Sequence, residues 1–268
     1  MKILLIGDIV GRVGRRMIKE KVPYYVEKYG IDFVIANGEN ATHGKGLFRH
    51  HYQELIDYGV DVITLGNHYD SKAEIRKYID HADRLIRPYN LLHEYPGVGT
   101  ELYDLDGVTI RVTNLLGSAF MEENVNSPYL ALLNILSEEE PANIHIVDFH
   151  AEATGEKKSY GYALDGKVSA VLGTHTHIQT RDYQIFPEGT AYISDVGMCG
   201  LADGVLGFSK ESVMNRNLFG GSGKFQPPDE GRGMFNAVVM DFDDISGKCK
   251  EIFPIYYIEE EKDERKDY

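Results

Sequence analysis

Apolar runs of strand length alternate with helix-compatible stretches through the first eighty residues. Lys2 to Ile6 is an apolar run, and Gly11 to Glu27 carries Met17, Ile18, Val22 and Val26 at roughly helical spacing, which predicts a strand followed by a helix. Phe33-Val34-Ile35-Ala36 predicts a second strand, running into Gly38-Glu39-Asn40, a loop with Gly44 and Gly46, and a helix from about Arg49 to Asp57. Val60 to Leu65 predicts a third strand ending at Gly66-Asn67-His68, with a helix from Ser71 as N-cap to about Asp80. This alternation implies parallel strands covered by helices.

After Pro88 the pattern changes. Glu101 to Leu105 and Val108 to Asn114 flank Asp106-Gly107, the signature of a β-hairpin. Tyr129 to Leu136 reads as helix, and Ile144 to Phe149 and Val168 to Leu172 as strands. Tyr183 to Phe186 pairs with Ala191 to Ser194 across Pro187-Glu188-Gly189, and further strands are expected at Phe235 to Phe242 and Glu251 to Ile258. Gly220 to Gly223, with Pro227-Pro228 after it, reads as a mobile loop. With no repeat and no linker, residues 1–258 form one expected domain, and the charge-rich residues 259–268 a solvated tail.

Composition narrows the class. The 268 residues are 43% hydrophobic and 26% charged, which suits a folded soluble protein and disfavours collagen-like, coiled-coil or disordered chains. The apolar run Ile3 to Ile6 is too short for a signal-peptide core or a membrane span, so a cytoplasmic protein with no membrane partner is expected. Cys199 and Cys249 lie fifty positions apart without CxxC partners, so any metal site must use nitrogen and oxygen. A net charge of −14 is the wrong sign for gripping long nucleic acid, yet bound cations can invert the field inside one cleft and admit a small anionic substrate.

That cleft has candidates. Five apolar strand segments end in metal-competent side chains: Asp8, then Glu39 and Asn40, then Asn67 and His68, then His150, then His175 and His177. In open α/β sheets ligand sites form beyond the carboxyl ends of strands, so these residues can meet although far apart in the chain. Singly, Asp8 could cap a helix, Asn67 could end a turn and His150 could be a satisfied buried histidine. Together, the ordinary explanations require five independent accidents at equivalent positions. Two carboxylates, two amides and four imidazoles are enough for a two-metal centre.

Gly66-Asn67-His68 and Gly173-Thr174-His175-Thr176-His177 resemble motifs of the calcineurin-like metallophosphoesterases, and the resemblance covers nearly the whole chain. That superfamily usually presents Asp-x-His, Gly-Asp-x-x-Asp, Gly-Asn-His-Asp/Glu, a single His and Gly-His-x-His. Here Val10 stands at the first His, Gly38-Glu39-Asn40 replaces the second block, and Tyr69 replaces the acid after His68. These departures resemble the bacterial YmdB-type branch of 2′,3′-cyclic-nucleotide 2′-phosphodiesterases. Gly7-Asp8-Ile9-Val10-Gly11, Asn37-Gly38-Glu39-Asn40-Ala41, Asp148-Phe149-His150-Ala151-Glu152 and Asp195-Val196-Gly197-Met198 extend the agreement.

The resemblance implies an α/β fold, a two-sheet mixed β-sandwich flanked by helices. It implies that Asp8, Glu39, Asn40 and His177 hold one ion, while Glu39, Asn67, His150 and His175 hold the second. His68 is left off the metals as general acid. Water bound to such a centre ionises near neutral pH, and the hydroxide would attack phosphorus in line. The implied reaction opens a 2′,3′-cyclic nucleotide to a 3′-nucleotide. The alternatives are a broader phosphodiesterase or phosphomonoesterase, or a regulatory metal- or nucleotide-binding protein with little turnover. Ligand types leave iron, manganese, zinc or cobalt; the resemblance points to iron, with manganese as substitute, and only the resemblance suggests a homo-oligomer.

Other residues carry less. Arg12, Arg15 and Arg16 could reach a phosphate, although a solvated helix face is the commoner explanation. His43 and Lys45, in the loop after Asn40, could touch substrate. His145 lies an odd number of residues before His150, on the opposite sheet face, and reads as structural. His50, His51, His81 and His93 have no organised partners and receive no chemistry.

Overall fold

A computed structural model describes residues 1–222 and 224–260. Strands β1 (Lys2–Ile6) and β2 (Asp8–Ile9) lead into helix α1 (Gly11–Tyr29), which ends at Gly30 in the left-handed region with its N–H on the Val26 carbonyl. Strand β3 (Phe33–Asn37), helix α2 (Arg49–Asp57) and strands β4 (Val62–Thr64) and β5 (Leu85–Ile86) follow. The hairpin is β6 (Thr100–Leu105) and β7 (Val108–Leu116), and helix α3 (Pro128–Glu138) is capped by the Ser127 hydroxyl. Then come β8 (Ile144–His150), α4 (Thr154–Ala163), β9 (Ala170–Thr174), β10 (Gln184–Ile185), β11 (Ala191–Ile193) and β12 (Met198–Leu201). The last elements are α5 (Lys210–Phe219), β13 (Gly233–Phe242) and β14 (Cys249–Ile258).

Two mixed sheets result. The first runs β2-β12-β13-β1-β3-β4-β5 with β14 on β13; β1, β3, β4 and β5 are parallel, whereas β13 runs against β1 and β14. The second runs β10-β11-β9-β8-β7-β6, parallel from β7 through β11 with an antiparallel strand at each edge. Strand periodicity sends alternate residues to opposite faces. Ile3 and Leu5 therefore pack between the sheets with Val112, Ile146 and Leu172, while Leu4 and Ile6 pack outward with Met17 and Ile18 of α1. Phe149 and Val171 cover the outer face of the second sheet beneath α3 and α4, with Leu132, Ile135 and Tyr160. This is the two-sheet, helix-flanked sandwich expected. Its parallel strands point their carboxyl ends to one edge, where both sheets deliver side chains.

Three expectations change. The helix expected from Ser71 to Asp80 is two short 3₁₀ helices, Ala73–Lys77 and Ile79–His81, preceded by Lys72 rather than capped by Ser71. Ile75 and Tyr78 are buried three positions apart, a spacing that stacks side chains in a 3₁₀ helix. Glu259 does not belong to a frayed tail, because Arg16 donates to its two oxygens at 2.6 and 2.7 Å. Residues 261–268 of that expected tail lie outside the described residues. Part of the expected glycine loop is the left-handed C-cap of α5, Gly220. Among the described residues no helix is long and apolar enough to cross a membrane.

Candidate metal centre

Each candidate sits where a strand stops. Asp8 follows β1, Glu39 and Asn40 follow β3, and Asn67 and His68 follow β4, while from the second sheet His150 ends β8 and His175 and His177 follow β9. All but Asn67, His68 and His175 are buried. Asn67 Oδ1, Glu39 Oε1 and His175 Nδ1 lie 3.0, 3.2 and 3.0 Å from one nitrogen, His150 Nε2. That nitrogen carries at most one hydrogen, so three neighbours cannot all be satisfied by it. Glu39, His150 and His175 also form a set whose ligand atoms lie within 4.8 Å of one another. Gly66 makes this approach feasible, since a Cβ there would collide with Glu39 Oε2 and His150 Nε2.

Asp8 and His177 lie beside this group. Asp8 Oδ1 is 3.9 Å from His177 Nε2 and 3.9 Å from His150 Nδ1, and it is buried without a hydrogen-bond partner. Asn40 Oδ1 is likewise buried and unpartnered, while its Nδ2 donates to the Gly44 carbonyl at 3.0 Å. Buried oxygens with no donor are rare and call for a cation or water. The residues thus fit a metal group: orphaned oxygens on one side, converging lone pairs on the other. His68 is tied in through its backbone, which donates to Glu39 Oε2 at 3.0 Å. No hydrogen bond joins the Asn40 side chain to the other candidates.

The rings are oriented by partners that sequence reasoning did not single out. The Thr174 hydroxyl donates to Asp148 Oδ1 at 2.6 Å, so its oxygen must accept from His150 Nδ1 at 2.9 Å, turning the Nε2 lone pair to the cluster. Asp148 is also held by Thr64 Oγ1 at 2.5 Å and Asn37 Nδ2 at 3.0 Å. His177 Nδ1 donates to the Leu206 carbonyl at 3.0 Å, freeing Nε2 toward Asp8. Glu152 Oε2 lies 3.3 Å from His175 Nε2, leaving Nδ1 inward. Lys157 of α4 donates to the Thr174 carbonyl at 2.8 Å and to Asp195 at 2.9 Å, and the same Asp195 oxygen takes the Thr176 N–H at 2.9 Å. This clamp holds a turn in which His175 and His177 have φ of 102° and 65°, values uncommon outside glycine. Asn37, Asp148, Glu152, Thr174 and Asp195 stand within the quoted motifs, and the spacing of apolar runs carries no signal for the rest.

Electrostatics point the same way. Burial pushes the Asp8 carboxyl up to about 6, against the pull of His177 and His150. Burial alone would weaken His150 as a base, but Glu39, Asp8 and Asp148 outweigh it and push its pKa up to about 9. Glu39 is held below the usual carboxylate range despite its burial, by His150 and by the His68 N–H. Burial, reinforced by His150, takes His175 down to about 3, and burial also lowers His68. The pocket demands positive charge and can hold it as protons or as cations.

The model of the YmdB-like protein family matches residues 4–255. The chain belongs to that family. A 2′,3′-cyclic-nucleotide 2′-phosphodiesterase from Bacillus subtilis is 44% identical over 253 residues, 94% of this chain and 95% of that protein. A crystal structure of a hypothetical protein from Thermus thermophilus agrees with TM-score 0.90 at 37% identity, covering 97% of this chain and 100% of that one. The crystal structure of a phosphatase from Mycoplasma pneumoniae gives TM-score 0.90 at 35% identity over 96% and 93%. The family, fold and enzyme class expected from the motifs agree with these relatives.

Two of the three arginines singled out from the sequence, and His145, are engaged elsewhere. Arg15 pairs with Glu54 at 3.0 Å and donates to the Ala41 carbonyl, and Arg16 pairs with Glu259, so neither is aimed at the cluster. His145 is bonded to the Thr113 hydroxyl at 2.9 Å, consistent with a structural role.

Proposed function

We propose that this chain is a dinuclear-metal phosphodiesterase that hydrolyses 2′,3′-cyclic nucleotides to 3′-nucleotides. The observation that carries the reading is the convergence of Asn67, Glu39 and His175 on His150 Nε2 beside two orphaned buried oxygens. The activity named for the Bacillus subtilis relative supports the substrate class. Asp8, Glu39, Asn40 and His177 are assigned to one cation and Glu39, Asn67, His150 and His175 to the other, with Glu39 bridging. Iron is the proposed metal, with manganese as substitute. When bound, two such cations supply a water that ionises near neutral pH and offset charge on the phosphoryl oxygens.

The chain's own groups do the rest. Asp148, Thr174, Leu206 and Glu152 fix which nitrogen each imidazole turns inward, so no reorientation accompanies substrate entry. His68, next to Asn67 and anchored on Glu39 through its backbone, is assigned to protonate the 2′ oxygen as its bond to phosphorus breaks. Water supplies the new P–O bond, and the product keeps the phosphate on the 3′ oxygen. Burial depresses the His68 pKa, and a phosphodiester anion beside the ring opposes that. Two buried free thiols, Cys199 and Cys249, accord with the reducing cytoplasm, where we place the enzyme.

The test is release of 3′-AMP from 2′,3′-cyclic AMP by metal-loaded protein, beside His68→Ala. We expect turnover to fall about 10²–10⁴-fold in the variant with ion content kept. Equal turnover rejects His68 as the acid. No turnover at full ion occupancy favours a binding protein, and preference for a monoester favours the phosphatase activity named for the Mycoplasma pneumoniae relative.

A further inference from the structure

Strand β7 ends at Leu116, paired with His150 across the sheet, and the Gly117 N–H donates to the His150 carbonyl at 2.9 Å. Residues 117–126 then leave the sheet as a loop closed at its base by buried Asn90. Asn90 Nδ2 donates to the carbonyls of Leu116 and Asn126, both at 2.9 Å, and Oδ1 accepts the Leu116 N–H at 2.9 Å. Glu156 of α4 clamps the outgoing limb, accepting from the Ser118 N–H at 2.9 Å, the Ser118 hydroxyl at 2.8 Å and the Ala119 N–H at 3.2 Å. The returning limb carries Glu123, whose Oε2 is buried without a partner. The outgoing limb therefore starts beside His150, one of the candidate ligands.

Phe120 stands between these limbs. Its φ is 61°, its side chain is 89% exposed, and its ring meets no other ring or cation among the described residues. A bulky residue at positive φ persists only where its surroundings over-determine it. Here the Glu156 bonds and the Asn90 clasp hold the backbone, yet the ring they place is given to solvent, where it contributes almost no burial to stability. Three residues of chain span at most about 10 Å, so Phe120 lies within that reach of Gly117, whose N–H is bonded to the His150 carbonyl. A nucleotide whose phosphate rests at the centre carries its base one ribose away from it.

We propose that Phe120 is the platform on which the substrate's nucleobase stacks. This rests on the phosphodiesterase reading above and names a binding residue for it. Stacking uses the π face that every base possesses, so such a platform selects for the presence of a base rather than for its hydrogen-bonding edge.

The chain contains no tryptophan, so Phe120→Trp installs a single tryptophan at the proposed contact, whose emission is excited selectively over that of the 18 tyrosines. We expect saturable quenching of its emission by adenosine 3′-monophosphate and none by ribose 5-phosphate. In parallel, Phe120→Ala should lower the ratio of kcat/KM for adenosine 2′,3′-cyclic phosphate over ribose 2′,3′-cyclic phosphate by about 5- to 150-fold, and Phe120→Tyr should restore it. Emission that responds alike to both probes, or a ratio unmoved by Phe120→Ala, overturns the platform while leaving the reaction in place. Quenching by the nucleotide without hydrolysis of either cyclic ester overturns the reaction and keeps the base site.

Discussion

Replacing Lys157 by methionine removes one half of a fully buried ion pair and should be felt at both ends of the clamp. Lys157 and Asp195 are each 1% exposed, with 2.9 Å between Nζ and Oδ2. Stripping one partner from such a pair leaves an uncompensated buried charge and costs about 3–5 kcal/mol. For a chain of 268 residues, with unfolding entropy of about 2.1 cal/mol/K per residue, that corresponds to a fall in Tm of about 5–9 °C. The Thr174 carbonyl also loses its ammonium donor, and Asp195, which holds Thr176, loses its anchor. The His175–His177 turn should then relax from its positive φ values, weakening metal affinity about 10–100-fold, as expected for groups that orient ligands. Thermal melts and chelator-competition titrations read the two effects separately. Adding Asp195→Asn to Lys157→Met removes the stranded charge and should recover part of the lost Tm without restoring affinity. A single variant that melts within about 1 °C of the parent and binds metal equally well would refute the clamp.

Two further outcomes follow from the site's geometry and charge. Metal ligands must shed protons, and Asp8 and His150 titrate at about 6 and about 9, so cation affinity should rise as pH increases from 5 to 9, with proton release on binding; affinity flat across that range in calorimetric titrations contradicts the assignment. Gly66→Ala places a methyl group against Glu39 Oε2 and His150 Nε2, and we expect a cost of about 1–3 kcal/mol together with reduced ion content, checked by melting and elemental analysis.

How much of this was legible in the sequence depended on whether a feature is local or made by packing. Buried parallel strands read as apolar runs, so β1, β3, β4 and β8 stood out, and the residues terminating them named the candidate ligands. Helix α2 was recovered with its bounds, and the β6–β7 hairpin announced itself through Asp106-Gly107. Helices α4 and α5 did not. The first holds two glycines, and the second buries only Val213, so neither shows an apolar stripe at helical spacing. The orienting contacts of Asp148, Thr174, Lys157 and Leu206 arise only when segments 17 or more residues apart meet, and no spacing rule encodes them. Phe120 was invisible for a related reason: its exposure and backbone angle are set by Glu156 and Asn90, both at least 30 residues distant.

The most direct measurement is the metal-to-protein ratio of purified, metal-loaded protein by elemental analysis, set beside that of Glu39→Ala. Two cations per chain are expected for the parent, and both should be lost from the variant because Glu39 is assigned to bridge them. One cation or none in the parent, or a variant that keeps two, would contradict a paired-cation centre built on these strand ends.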